Sequence, residues 1–195
     1  MTAMLRRYRL ALGLWLCAVA MVFIAFISAY FVRGGVPNYE AATGTYSMQW
    51  EPPFLPVSLL VLNTCVLLAA ALALEFARRS VRRAVPDAAY VAFPIWLWAS
   101  LLLSLGFLAG QARVWEMLRS NGHTIGSGAR AAFAFVVTGA HAAQIAGLAL
   151  VVFWIAARQR RWQPMQRYIA ADLAAWYLHA MAVLWIALLC VLVWG

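Results

Sequence analysis

The sequence predicts an all-α integral membrane protein with five transmembrane helices, and three observations support this fold class. The chain of 195 residues is 66% apolar and only 11% charged, which is far from the composition of soluble domains. Five segments lack any charged residue, and each exceeds the roughly 18 residues that indicate a membrane-spanning helix. Little chain remains between them. We therefore predict a single membrane domain, residues 1–195, with spans at about residues 10–32, 54–76, 91–112, 131–157 and 173–194.

The distribution of arginine predicts the orientation of these spans. All fifteen basic residues are Arg, and eleven of them fall on one side of the five alternating spans. By the positive-inside rule this side is cytoplasmic, so we predict a cytoplasmic N-terminus and a C-terminus outside. The net charge of +9 then indicates contact with anionic lipid headgroups, and no nucleic acid is expected as a partner.

The first two spans carry few polar residues. The first ends in Phe26–Arg33, where Tyr30 and Arg33 suit the membrane interface. The second begins at prolines, which are normal in a first helical turn, and carries the pair Asn63-Thr64 about one third of the way across. Because a polar pair inside a span is costly unless it bonds to another helix, we expect Asn63 to face the bundle interior.

The third span is expected to end at Gln111, near the outer surface and in contact with water. Trp115 and the oppositely charged residues Arg113 and Glu116 follow it. The polar, Gly-containing loop beyond them includes His123, which we expect to be solvated.

The fourth span has polar residues at an interval of three: Thr138, His141 and Gln144. Positions three apart are neighbours on a helix surface, and polar side chains in a span normally face protein. We therefore expect this row to face other helices of the chain. We also expect His141 or Gln144 to reach a polar group on a neighbouring helix.

The fifth span contains Trp176, Tyr177, His179 and Trp185, and His179 is expected to face other helices. Two acidic residues, Glu75 and Asp172, fall at span ends beside Arg-rich segments, where we expect them to be ionised and wet. The three cysteines lie inside spans without a Cys or His cluster, which is typical of small core residues.

Taken in order, these motifs resemble subunit III of the haem-copper terminal oxidases, the cytochrome c and quinol oxidase family. The resemblance covers all five spans. With five spans, the chain is similar to the shorter bacterial members of the family. The segments that carry it are Asn63-Thr64 after a proline, Leu105–Gln111 with Trp115, Thr138-Gly139-Ala140-His141, and Trp176-Tyr177-Leu178-His179 with Trp185.

The resemblance implies a non-catalytic structural subunit in the bacterial inner (plasma) membrane. It would pack against the catalytic subunit I and belong with subunit II, and the haem and copper would be held by these partner subunits. It also implies bound phospholipid in a cleft beside helices 1 and 2, which would stand apart from the other three. The candidate headgroup contacts are Arg33, Arg78, Arg79 and Arg82.

The sequence departs from the family pattern at three polar positions. Val19 stands at the place of a carboxylate in helix 1, Gln144 replaces a second histidine, and Ala182 replaces an aspartate. Roles that need those groups are therefore not expected in this chain.

Two other functions remain open from the sequence. One is an accessory five-helix protein of a nitric oxide reductase. The other is a haem-b membrane electron carrier with His141 and His179 as axial ligands. The helical rise of about 1.5 Å per residue places these two histidines at heights that differ by roughly 6 Å, which argues against the second.

Overall fold

The computed structural model describes residues 2–40, 44–47, 55–82 and 86–194, without the side chains of residues 2–3, 38, 40, 47, 82 and 86–91. Five helices dominate it: α1 (Thr2–Gly34), α2 (Val57–Arg82), α3 (Pro86–Ser120), α4 (Ala129–Arg158) and α5 (Pro164–Trp194). All five are long and apolar enough to cross a membrane. The prediction of an all-α protein with five spanning helices is confirmed.

Two short elements interrupt this helical pattern. Strands β1 (Asn38–Glu40) and β2 (Thr45–Ser47) form an antiparallel hairpin between α1 and α2, with the rings of Tyr39 and Tyr46 5.2 Å apart. A 3-10 turn, Gln159–Arg161, joins α4 to the segment that leads into α5.

The helices extend beyond most of the predicted spans. Helix α2 instead begins at Val57, after the predicted start of its span, and Leu55 and Pro56 before it are not helical. Helix α3 does not end at Gln111 but continues to Ser120, so that expectation was wrong. The charge-free length of a segment marks the part that is suited to lipid, whereas the hydrogen-bonded helix continues through charged turns beyond it.

Helices α4 and α5 lie centrally, since α5 packs against α1, α2 and α4, and α4 packs against α1, α3 and α5. The expected pairing of helices 1 and 2 away from the others is therefore wrong. Helix α2 lies along α3 and α5, and only α1 is attached by a narrow face, to α4 and α5. Three buried side chains mark that face: Val19, Phe23 and Tyr30.

The closest approach of α2 to α3 depends on a glycine. The carboxamide of Asn63 on α2 lies directly on the backbone of α3 at Gly110, and a Cβ atom there would overlap its Oδ1 and Cγ atoms. Asn63 is 3% exposed, and its Nδ2 atom has no hydrogen-bond partner among the described residues. The amide therefore has little room in which to move away.

We expect Gly110→Ala to destabilise the chain by about 1–3 kcal/mol, the usual cost of overpacking a well-packed interior. Thermal unfolding of the whole chain in mild detergent measures the change. Gly106→Ala, one turn away on α3, is the control, because its Cβ would meet Val66 at an ordinary 3.6 Å. Asn63→Ala in the Gly110→Ala background should restore most of the loss. Equal destabilisation with and without Asn63 would contradict the proposed clash.

Candidate functional site

Aromatic rings from three helices pack around a buried histidine on α4, mostly edge to face. His141 is fully buried, and its ring centroid lies 5.0 Å from that of Trp185, 5.8 Å from Phe107 and 6.4 Å from Phe23. We call these four residues, from α1, α3, α4 and α5, the central aromatic layer. Neither ring nitrogen of His141 has a hydrogen-bond partner within the described part of the chain. The imidazole thus packs as an aromatic ring.

A hydrogen-bonded chain joins this layer to α2. The indole Nε1 of Trp185 donates to Thr64 Oγ1 over 2.9 Å, and Thr64 Oγ1 donates to the carbonyl of Leu60 over 2.8 Å. The two members of the Asn63-Thr64 pair therefore have different partners, Asn63 at the α3 backbone and Thr64 at α5. The bond from Trp185 explains why the hydroxyl of Thr64 is tolerated at this depth, whereas Asn63 contributes a close packing contact.

The row Thr138, His141 and Gln144 faces three neighbours in turn. Thr138 is buried, accepts a 3.0 Å bond from Trp115 Nε1 on α3, and donates to the carbonyl of Ala134. His141 lies in the central aromatic layer. Gln144 Oε1 accepts a 2.5 Å bond from the hydroxyl of Tyr177 on α5. Of the two residues expected to reach a polar group on a neighbouring helix, His141 and Gln144, it is Gln144 that does so, and Thr138 does so as well.

Two expectations for site residues were wrong. Gln111 is fully buried, and neither polar atom of its carboxamide has a partner among the described residues. His179 is exposed, and its Nδ1 atom lies 2.7 Å from the carbonyl of Ala175 on the same helix. Because Leu178 and Met181 occupy the inward face of α5, the neighbouring His179 is turned outward together with Trp176, which is also exposed.

A network of charged side chains at one end of the bundle was not predicted. Asp172 on α5 is fully buried and accepts two 2.8 Å bonds from Arg9 on α1, together with a 3.2 Å bond from Arg78 on α2. Glu75 accepts 2.7 Å bonds from Arg78 and Arg79. We call these five residues the Arg–Asp network, and the end that carries it the Arg-rich end. It ties α1, α2 and α5 together.

The expectation that Glu75 and Asp172 are wet was therefore wrong. Helix α5 begins at Pro164, so Asp172 lies well inside the helix rather than at its start. At that depth two guanidinium groups from other helices replace water as hydrogen-bond donors to its carboxylate. A buried carboxylate needs such paired, charge-assisted bonds.

The four arginines proposed for lipid contact differ in availability. Arg78 is held between Glu75 and Asp172, and its side chain is 24% exposed. Arg79 bonds Glu75 through Nε but remains 56% exposed. Arg33 lies at the opposite end of the bundle and donates to the carbonyl of Val36 over 3.0 Å. The side chain of Arg82 lies outside the described residues.

The geometry does not fit a haem held by His141 and His179. The first is enclosed by rings inside the bundle and the second points outward from α5, so they cannot approach one iron from opposite sides. Within the described ranges, no three His, Cys, Asp or Glu side chains come together as a metal site.

Comparison with known proteins agrees with this architecture. The family model described as cytochrome c oxidase subunit III matches residues 2–195. The cytochrome c oxidase subunit 3 of Corynebacterium diphtheriae is 28% identical over 86% of this chain and 78% of its own length. The probable cytochrome c oxidase subunit 3 of Nocardia farcinica is 27% identical over 90% of this chain and 81% of its own length. The cytochrome c oxidase subunit 3 of Xenopus laevis is 26% identical over 95% of this chain and 68% of its own length.

Proposed function

The chain belongs to the cytochrome c oxidase subunit III family, and from this membership we propose that it is the non-catalytic subunit III of a terminal oxidase in a bacterial plasma membrane. It packs against the catalytic subunit I in a complex that also contains subunit II. The haem and copper of that complex are bound by those partner subunits. The chain is thus an accessory subunit of a membrane oxidoreductase.

The observation that carries the proposal is the way in which the motif residues are used. Thr64, Thr138 and Trp185 bond to other helices of this chain, and His141 is enclosed by rings. These contacts fix the mutual positions of the helices. A subunit whose motif side chains contact its own helices in this way offers its partner a rigid surface rather than a reactive group.

The arginine contacts support the predicted orientation. Arg9 from α1 and Arg78 from α2 meet at the same carboxylate, so the arginines at the start of α1 and those at the end of α2 share one end of the bundle. By the positive-inside rule we assign this end, with the N-terminus, to the cytoplasm.

Phospholipid is the proposed bound molecule. A groove of about 280 Å³ between α2 and α5 is lined by Arg78 and Arg79 with their partner Glu75, by Trp176 and His179, and by the apolar Leu72. Arg79 and Trp176 are more than half exposed there, so a phosphate can bond the guanidinium while an acyl chain lies along the helices. At the other end of the bundle, Arg33 is proposed to bind the phosphate of a lipid headgroup.

We expect the tagged chain, purified in a mild detergent from its native membranes, to bring down haem- and copper-containing subunits with cytochrome c or quinol oxidase activity and with bound phospholipid. Arg79→Ala should lower the lipid phosphorus of the complex. The control is Arg113→Ala, an exposed arginine paired only locally with Glu116. Recovery of nitric oxide reductase activity without copper would favour the alternative accessory role. Recovery of the chain without any haem protein would refute the proposal.

A further inference from the structure

An uncharged groove lies between α1, α4 and α5 toward the Arg-rich end. Its volume is about 380 Å³, which is within the range of small-molecule sites. The lining is apolar apart from a few polar atoms, and no charged residue belongs to it among the residues that the structure describes. It includes Trp15, Gln144, Gly147, Trp154 and Tyr177. Such a lining suits a neutral, membrane-soluble molecule.

The groove contains a hydrogen-bond donor that is already oriented. Tyr177 and Gln144 both line it, and the tyrosine hydroxyl donates to Gln144 Oε1 over 2.5 Å. This bond fixes the carboxamide by its oxygen and leaves the Nε2 hydrogens to donate elsewhere. A pure hydrocarbon in the groove would leave those donors unpaired, at a cost in free energy. An occupant that carries a hydrogen-bond acceptor is therefore favoured.

The depth of Gln144 limits where that acceptor can come from. Gln144 lies midway between Arg130 and Arg158, roughly 21 Å along the helix from each. Half of a bilayer core is only about 15 Å thick, so phospholipid headgroups and ester groups lie well away from Gln144. Among membrane-soluble ligands, an acceptor at this depth belongs to a molecule whose polar group resides inside the hydrocarbon core.

The shape of the groove favours a flat ring with a chain. Trp15 and Trp154 line it, and indole rings favour contact with another flat ring. Gly147 leaves one wall without a side chain, and a Cβ atom there would meet nothing within 4 Å. From Gln144 to Ile155 the lining continues along α4 for roughly 16 Å, which leaves room for an apolar tail.

We propose that this groove binds an isoprenoid quinone. A ring carbonyl accepts a hydrogen bond from Gln144 Nε2, the ring lies in the gap at Gly147 beside Trp15, and the chain lies against the apolar lining of the groove. The site goes beyond the accessory role and does not depend on it, because every contact belongs to this chain.

The test uses a photoreactive azidobenzoquinone on native membranes that contain the tagged chain. We expect labelling of this chain to fall at least tenfold in Gly147→Leu, whose side chain fills the gap, and to be unchanged in Gly13→Leu. Gly13 also faces open space but does not line the groove. Gln144→Leu should weaken binding roughly threefold to tenfold, the worth of one hydrogen bond.

Competition identifies the occupant. Excess unlabelled quinone should displace the probe, whereas phosphatidylglycerol should not. Equal displacement by phosphatidylglycerol would mean a groove for acyl chains and would overturn the proposal. Undiminished labelling of Gly147→Leu, with thermal unfolding like that of the unaltered chain, would overturn it as well.

Discussion

Replacing Asp172 with asparagine is expected to destabilise the chain by roughly 3–5 kcal/mol, because it removes one partner of a buried ion pair and leaves the other charges uncompensated. Asparagine keeps the size of the side chain but not its charge. Three bonds from Arg9 and Arg78 now end on two carboxylate oxygens, whereas the carboxamide offers one neutral acceptor oxygen and turns an NH2 group toward the guanidinium groups. Since Arg9 is 45% exposed and can recover some water, we expect the lower part of this range.

Thermal unfolding of the whole chain in mild detergent, followed by tryptophan fluorescence, measures this loss. The matched control is Glu116→Gln, which breaks an ion pair whose side chains are 73% and 64% exposed, and should change stability by less than about 0.5 kcal/mol. Replacing Arg9 and Asp172 together with leucine should recover much of the stability, because the remaining Glu75 and Arg78 still balance. If Asp172→Asn unfolds at the temperature of the unaltered chain, the Arg–Asp network does not stabilise the bundle.

The number and order of the helices could be predicted because they depend on local sequence. A charge-free segment longer than the bilayer core has few alternatives to a spanning helix, since its backbone groups must bond within the segment. The inward face of α4 could also be predicted, because Thr138, His141 and Gln144 are polar residues at helical spacing in a span. These signals need no information about the rest of the chain.

The Arg–Asp network could not be predicted in this way. Arg9 and Asp172 are 163 positions apart, and their pairing follows from the packing of α1 against α5. Counting charges places Asp172 at a span boundary, where water is the expected partner. Only the assembled bundle shows that two guanidinium groups, and not water, bond the carboxylate of Asp172.

The outward position of His179 has a different cause. Helix α5 is apolar on every side, so its sequence marks no single buried face. Its rotation is set by the residues that fit against α2 and α4, among them Leu178 and Trp185. The groove at Gly147 could not be predicted either, because its lining depends on how α1, α4 and α5 are placed relative to one another.

Two of the three tryptophans of α5, Trp176 and Trp185, should therefore respond very differently to the same substitution, and Trp185→Ala is expected to cost about 3–5 kcal/mol. Trp185 is 1% exposed, packs on His141 and Phe107 in the central aromatic layer, and donates to Thr64. Its removal leaves a cavity whose lining loses dispersion contacts, and those contacts are the main attraction between helices in lipid.

Trp176→Ala is the matched control on the same helix. Its side chain is 53% exposed, so we expect a change in the free energy of unfolding of no more than about 0.5 kcal/mol. Trp185→Phe should fall between the two, because phenylalanine keeps a ring in the layer but cannot donate to Thr64. Thermal unfolding of the three variants in the same detergent gives the order. Equal losses for Trp185→Ala and Trp176→Ala would show that the central aromatic layer does not hold the five helices together.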